Sequence, residues 1–296
     1  MPSRALSLPC LLLTGLVLLP GCRSGASLAD RANTPPPGTG EAASRPAPRP
    51  PLDNAPYGRV LERFVDRQGL VDYRGLQQNP QDLKAYVAAI GAVEPARFAS
   101  WHPSEQIAFL LNAYNALTLA SIIEQDPIRA SIRDIPGVWK LKRHTVAGEA
   151  MTLDHIEHGI LRKRYDEPRI HAALVCAAIS CPPLRREPYG GPRLNAQLDE
   201  QSRLWLASPQ GLVIHRAAGP GAGGGPGSVA ISQIFQWFGD DWKRRYATTE
   251  RFGDHDGQRE ILNFISGYVS PADRAFLRSG DYRLTHLQYD WSLNQQ

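Results

Sequence analysis

Four cysteines in 296 residues are too few for a disulfide-rich scaffold. Charge of one sign is also in short supply. The 33 basic and 29 acidic residues leave a formal charge of +4, too mild for the concentrated basic face of a nucleic-acid binder, so no nucleic-acid partner is expected. No internal repeat is visible, no GKS or GKT follows the Gly-rich stretch, and no HExxH occurs. What is present is ordinary: 42% hydrophobic, 8% aromatic and 21% charged residues, which excludes a mainly disordered, collagen-like or polytopic membrane protein. The 25 Pro and 26 Gly are frequent enough that their placement matters.

The N-terminus reads as an address. Arg4 precedes an apolar run from Leu6 to Leu19, shorter than the roughly 20 residues that a transmembrane helix needs. A charged start and a short apolar stretch make a secretory signal. It ends in Leu19-Pro20-Gly21-Cys22, which resembles the lipobox of bacterial lipoproteins. The resemblance implies cleavage before Cys22 and acylation of its thiol and amine, with several acyl chains giving a stable membrane anchor. The membrane is thus the expected partner. Arg rather than Asp at position 23 resembles the sorting pattern for the outer membrane, facing the periplasm; inner-membrane retention and plain secretion are the alternatives. Thr34 to Pro56 holds eight Pro in 23 residues and almost no large apolar side chains, so residues 22–56 are expected to form a disordered tether. After a signal of residues 1–21 and this tether, residues 57–296 remain for one globular domain.

Within that domain, hydrophobic spacing predicts helices over Gln81–Val93, from Pro103 to just before Asp126-Pro127, over Thr152–Arg164, Leu194–Ala207, Ile231–Trp242 and Arg259–Val269. The second of these is apolar around most of its girth and should be buried. Leu212–His215 and Val229–Ser232 read as two strands joined by a Gly-rich loop, and Tyr282–Trp291 alternates like a third. Arg169–Ile179 fits either a buried strand or a short helix. The fold class is α+β: a single helix-rich domain with a few short strands.

Candidate chemistry lies in three places. Asn112 and Asn115 share one face of the apolar helix, where a buried amide must be paired; they hold backbone or line a polar pocket. His155 and His158 sit on the next helix, a weak match to a metal face. His171, Cys176, Ser180 and Cys181 form the densest cluster. Its cysteines admit a disulfide, a catalytic thiol or metal binding. Their spacing of five puts them on opposite faces of a strand and well apart on a helix, so a bridge requires a turn between them. A CxxxxC spacing is wider than the usual zinc knuckle, and no metal or other cofactor is predicted.

The segments AFLLNAYNALT (108–118), IEHGILR (156–162), HAALVCAAISCPPLR (171–185) and YDWSLN (289–294) resemble a domain family of unknown function, widespread in bacteria and present in plants behind a leucine-zipper segment. The resemblance carries no known reaction. Its motif positions fall on Asn112, Tyr114, Asn115, Glu157, His158, His171, Cys176, Ser180, Cys181, Asp290 and Trp291. Two functions follow. One is a lipid-anchored envelope protein with a ligand-binding or scaffolding domain, meeting an unknown envelope partner or ligand. In it Asn115, Tyr114, Glu157, Ser180 and Trp291 are pocket candidates. The other is a thiol-dependent hydrolase or acyl transferase, by analogy with papain and the transglutaminases. It takes Cys181 or Cys176 as nucleophile, His158 or His171 as base, and Asn112 or Asp290 as orienter.

Overall fold

A computed structural model describes residues 51–216 and 227–296. The expected signal, Cys22, most of the Pro-rich tether and most of the Gly-rich loop lie outside the described residues. The fold below is that of the unit Pro48–Gln296.

Helix α1 (Ala55–Phe64) starts two residues before the expected domain boundary at Tyr57. Tyr57, Val60, Leu61 and Phe64 form its buried stripe, and Ala55 and Pro56 complete the first turn that this stripe needs. Tyr57 stacks on Tyr86 of α3 with ring centroids 4.8 Å apart. Short α2 (Tyr73–Gln78) lies between them, and α3 (Gln81–Ala92) ends one residue before its predicted limit. After α4 (Pro95–Ala99), helix α5 runs from Pro103 to Ile123. Pro103 occupies its first turn, and His102 caps it by accepting the Ser104 N–H. Residues all round α5 are buried, as its apolar girth predicts. It is the one helix among the described residues long and apolar enough to cross a membrane, and it forms the centre of the core.

A hairpin of β1 (His144–Val146) and β2 (Glu149–Met151) follows. Its turn, Ala147-Gly148, has both residues at positive φ, 49° and 74°. Asn or Asp normally announces such a turn, so Ala at the first position leaves little for the sequence to signal. The predicted helix over Thr152–Arg164 forms and buries Leu153, Ile156, Ile160 and Leu161. Thr152 caps it, its hydroxyl accepting the His155 N–H at 3.0 Å. Its middle, His155–Leu161, is wound as a π-helix that runs into α6 (Arg162–Arg164). The Arg162 N–H reaches back five residues to the Glu157 carbonyl. Such wide turns recur at functional sites.

The ambiguous run at 169–179 becomes a four-residue helix, α7 (Ile170–Ala173), followed by a loop. Helix α8 (Leu194–Ala207) matches its prediction. Strands β3 (Leu212–His215) and β4 (Gly227–Ile231) pair antiparallel, and β5 (Tyr282–His286) adds to β4 in parallel. The helix expected over Ile231–Trp242 is two: α9 (Gln233–Phe238) and α10 (Asp240–Arg245). They break at Gly239, where a Cβ would come within 2.8 Å of the Phe235 carbonyl oxygen. Helices α11 (Arg259–Ser266) and α12 (Pro271–Ser279) precede β5. Beyond His286 the chain leaves the sheet, so the strand expected to reach Trp291 is shorter. It then crosses the domain, bridging Leu293 to Ala178 and Gln295 to Val71.

The architecture is α+β. Its apolar interior has two parts. One gathers around α1, α3 and α5; the other joins Trp205 of α8 to β4 and α9–α12. Tyr289 packs against both, which places the final segment at their junction.

Candidate functional site

The loop after α7 carries both globular-domain cysteines, and they form a disulfide with Cα atoms 6.2 Å apart. The turn that a spacing of five requires is made at Ala177, which has φ of 61°. Two sets of bonds hold the loop. Asn115 on α5 donates its amide to the Ala173 carbonyl at 2.9 Å and accepts the Val175 N–H at 2.9 Å. From the other side the C-terminal segment pairs with it. Ile179 N–H donates to the Ser292 carbonyl, Asn294 N–H to the Ala177 carbonyl, and Asp290 N–H to the Ser180 hydroxyl. Motifs far apart in sequence thus become one structure.

The sulfurs sit in a polar setting. Backbone N–H groups of Cys176 and Ala178 point at Cys181 Sγ, at 3.1 and 3.3 Å. The Tyr289 hydroxyl lies 3.2 Å from Cys176 Sγ and 3.4 Å from Cys181 Sγ. Cys181 is 4% exposed. Cys176 is half-buried and lines a cleft of about 360 Å³.

Aromatic rings make one wall of that cleft. Trp237, the most exposed of them at 43%, stacks on Trp291 with centroids 5.8 Å apart. Tyr289 lies 4.5 Å from Trp291 and 4.8 Å from Trp237, and Trp139 meets Trp291 edge-on at 6.1 Å. Offset and edge-to-face pairs of this kind hold aromatic side chains in fixed positions.

A charged network adjoins the cleft through His158 and His171. His171 on α7 is buried between Phe238 (4.7 Å) and Trp242 (5.1 Å), and its Nε2 meets Asp241 Oδ2 at 2.7 Å. Asp241 also binds Arg162 through both carboxylate oxygens, at 2.6 and 3.0 Å. Arg162 reaches His158 Nδ1 at 3.1 Å and lies over the Phe238 ring. Burial lowers the pKa of His171 against the opposing pull of the Asp241 carboxylate. Burial also works against the Asp241 charge, but the bonds from His171 and Arg162 outweigh it and hold that carboxyl well below its ordinary range. His158 is lowered by burial and by neighbouring Arg162. Glu157 is 13% exposed, and burial raises its pKa to about 7 against the opposing pull of the Tyr114 hydroxyl and Arg162. Such poising of a cleft carboxyl near neutrality marks candidate functional groups.

The structure sorts the expected residues. Tyr114, Glu157, His158, His171, Cys176 and Trp291 all line this cleft. Cys181 lies behind Cys176 as its disulfide partner, and Ser180 fastens the loop to the C-terminal segment. Asn112 and Asn115 both grip backbone. Asn112 binds Tyr189 through its carbonyl oxygen (2.8 Å) and N–H (2.9 Å), so it orients no imidazole. Asp290 is also away from the histidines: its exposed carboxylate accepts the Ser292 N–H at 2.8 Å and closes a turn. Among the described residues, the hydrogen bonds of the two sulfurs go to Tyr289 and backbone, not to an imidazole. No group of three or more His, Cys, Asp or Glu among the described residues is arranged to hold a metal ion.

Sequence reasoning missed Asp241, Tyr289, Trp139, Trp237 and Phe238. Tyr289 opens the YDWSLN segment and was within reach. Asp241 and Phe238 were hidden by reading α9 and α10 as one helix, whose aromatic spacing suggests core rather than cleft.

No curated protein and no solved structure matches this chain. Residues 98–206, from α4 to the end of α8 and including Asn115, Glu157, His171 and both disulfide cysteines, match the model of a family described as a protein of unknown function, DUF547.

Proposed function

We propose that this chain is a lipid-anchored protein of the bacterial cell envelope, facing the periplasm from the outer membrane, whose domain binds a ligand in the cleft beside the disulfide. The observation that carries the binding reading is convergence. Four sequence segments distant from one another deliver Tyr114, Glu157 with His158, His171 with Cys176, and Tyr289 with Trp291 to one cavity. An apolar pocket with a few convergent polar groups and a perturbed carboxyl is the usual form of a small-molecule site. Acyl transfer has less support, because both sulfurs are joined to each other and His171 spends its Nε2 on Asp241. The anchoring half rests on the lipobox-like Leu19-Pro20-Gly21-Cys22.

Each half has its own test. Full-length protein in detergent is screened by fluorine NMR against a set of fluorinated aromatic and saccharide fragments. Saturable binding that Trp237→Ala removes supports a ligand cleft; no saturable binding in the wild type removes the reading. For the anchor, cells expressing Cys22→Ser are fractionated. The protein should leave the membrane fraction, and retention there refutes acylation at Cys22.

A further inference from the structure

We infer that the Cys176–Cys181 disulfide is an exchange site for a protein dithiol, with Cys176 the sulfur attacked and Cys181 the leaving thiolate. The inference rests on the loop geometry and not on a ligand in the cleft.

Exchange requires an accessible sulfur, a stabilised leaving sulfur and a surface for the partner. The two sulfurs of this bridge are unequal in these respects. Cys176 is half-buried on the aromatic-walled cleft, whereas Cys181, although it borders a separate cavity, is only 4% exposed. An incoming thiolate therefore meets Cys176. Stabilisation is concentrated on the other sulfur. Two backbone N–H groups, from Cys176 and Ala178, are aimed at Cys181 Sγ alone; the Tyr289 hydroxyl is shared by the pair, 3.2 Å from Cys176 Sγ and 3.4 Å from Cys181 Sγ. Donors aimed at a sulfur favour its thiolate over its thiol, and a lower-pKa thiol leaves faster. The donors are held in place before any reaction. Ala177 at φ 61° turns the Ala178 amide inward, Asn115 clamps the chain just before Cys176, and the C-terminal segment fixes 177–180 from outside. A structural bridge needs neither a half-exposed sulfur at a cleft nor three donors on the pair.

The step balances as follows. A thiolate of the partner attacks Cys176 Sγ; the S–S bond breaks, and its electron pair leaves on Cys181 Sγ. The second partner thiol, losing its proton, attacks its own sulfur in the mixed disulfide and releases Cys176. The partner ends as a disulfide, oxidised by two electrons. The two protons from its thiols end on Cys176 and Cys181. Exposed Trp237, stacked on half-buried Trp291 beside Cys176, supplies an apolar surface for the partner's flanking residues.

The test uses oxidised full-length protein in detergent, with dithiothreitol as the dithiol probe and glutathione as a monothiol probe. Free cysteines are alkylated at timed intervals and mapped by peptide mass spectrometry. Dithiothreitol should reduce the native bridge at least about tenfold faster than the same bridge in urea-unfolded chain, because only the native loop stabilises the leaving sulfur. Native reduction that is equal or slower overturns the inference and leaves a structural bridge. The trapped glutathione adduct should map to Cys176; an adduct on Cys181 overturns the assignment of roles. Tyr289→Phe should slow native reduction severalfold while its rate in urea stays that of the wild type. An unchanged native rate in that variant removes the tyrosine from the mechanism.

Discussion

Asn115 and Val175 are joined by a buried hydrogen bond of 2.9 Å that ties the central helix to the residue before the first cleft cysteine. The same side chain donates to the carbonyl of Ala173, so one amide brackets Leu174 and fixes where α7 ends. A local sequence that suits helix or strand is given one conformation by a residue about sixty positions away.

Replacing that amide exposes its role. Asn115→Ala leaves the Ala173 carbonyl and the Val175 N–H buried without partners, at about 1–3 kcal/mol each. Urea unfolding should show a loss of about 3 kcal/mol. A loss under about 1 kcal/mol would mean that the loop does not depend on the clamp.

Glu157 should make the protein less stable as pH rises. Its folded pKa of about 7 lies above the ordinary 4.5, so the folded state binds more protons than the unfolded state between those values. Stability contributed by the protonated carboxyl is complete below about pH 4.5 and is lost by about pH 7, with a total of about 3 kcal/mol. Glu157→Gln removes this slope. Chemical denaturation of both proteins across pH 4–8 checks it: the variant should gain on the wild type as pH rises, and parallel curves would refute the raised pKa.

Asp241 should act in the opposite direction. Its folded pKa lies below the ordinary 3.8, so its contribution is present above that value and is lost as pH falls through the folded pKa. At neutral pH, Asp241→Asn leaves Arg162 without its counter-charge and costs about 2 kcal/mol, on the scale of hydrogen bonds to charged groups. The gap to wild type should close below pH 4. In NMR of the histidine ring, His171 should also lose its fixed tautomer in the variant; a ring unchanged in both tautomer and exchange would rule out the Asp241 bond as its anchor.

At Ala177 glycine should be tolerated. A left-handed backbone costs a non-glycine residue about 1–2 kcal/mol, and glycine removes that strain while adding a similar unfolded-state entropy. Ala177→Gly should therefore be close to neutral in thermal unfolding. Ala173→Gly in α7, where φ is ordinary, should cost about 1 kcal/mol. Equal effects at the two positions would contradict the loop geometry.

Much of the framework was legible from local pattern. The apolar girth of α5, the buried stripe of the helix after Thr152, and the pairing of β3 with β4 follow from spacing alone. The shorter elements were not. Helices α2 and α4, of six and five residues, make fewer than two turns, α12 buries only Leu277 and so shows no apolar stripe, and the β1–β2 turn uses an alanine where asparagine would signal it. The break at Gly239 was missed because aromatic residues on both sides continue a helical stripe.

The candidate residues were identified by type, but their roles needed the tertiary structure. Asn112, Asn115 and Ser180 fasten backbone, and Asp290 closes a surface turn. Glu157, His158, His171 and Cys176 reach the cleft, which Tyr289 also lines and which Asp241 adjoins through its bond to His171; sequence had singled out neither Tyr289 nor Asp241. Composition and periodicity by themselves determined an α+β domain with a buried central helix, because those properties depend on near neighbours in the chain. Whether two thiols five residues apart are bridged, which of them faces a cavity, and which histidine receives a carboxylate were decided only by packing. Those relationships join Ala177, Asn115, Tyr289 and Asp241 across long sequence separations, and no local period records them.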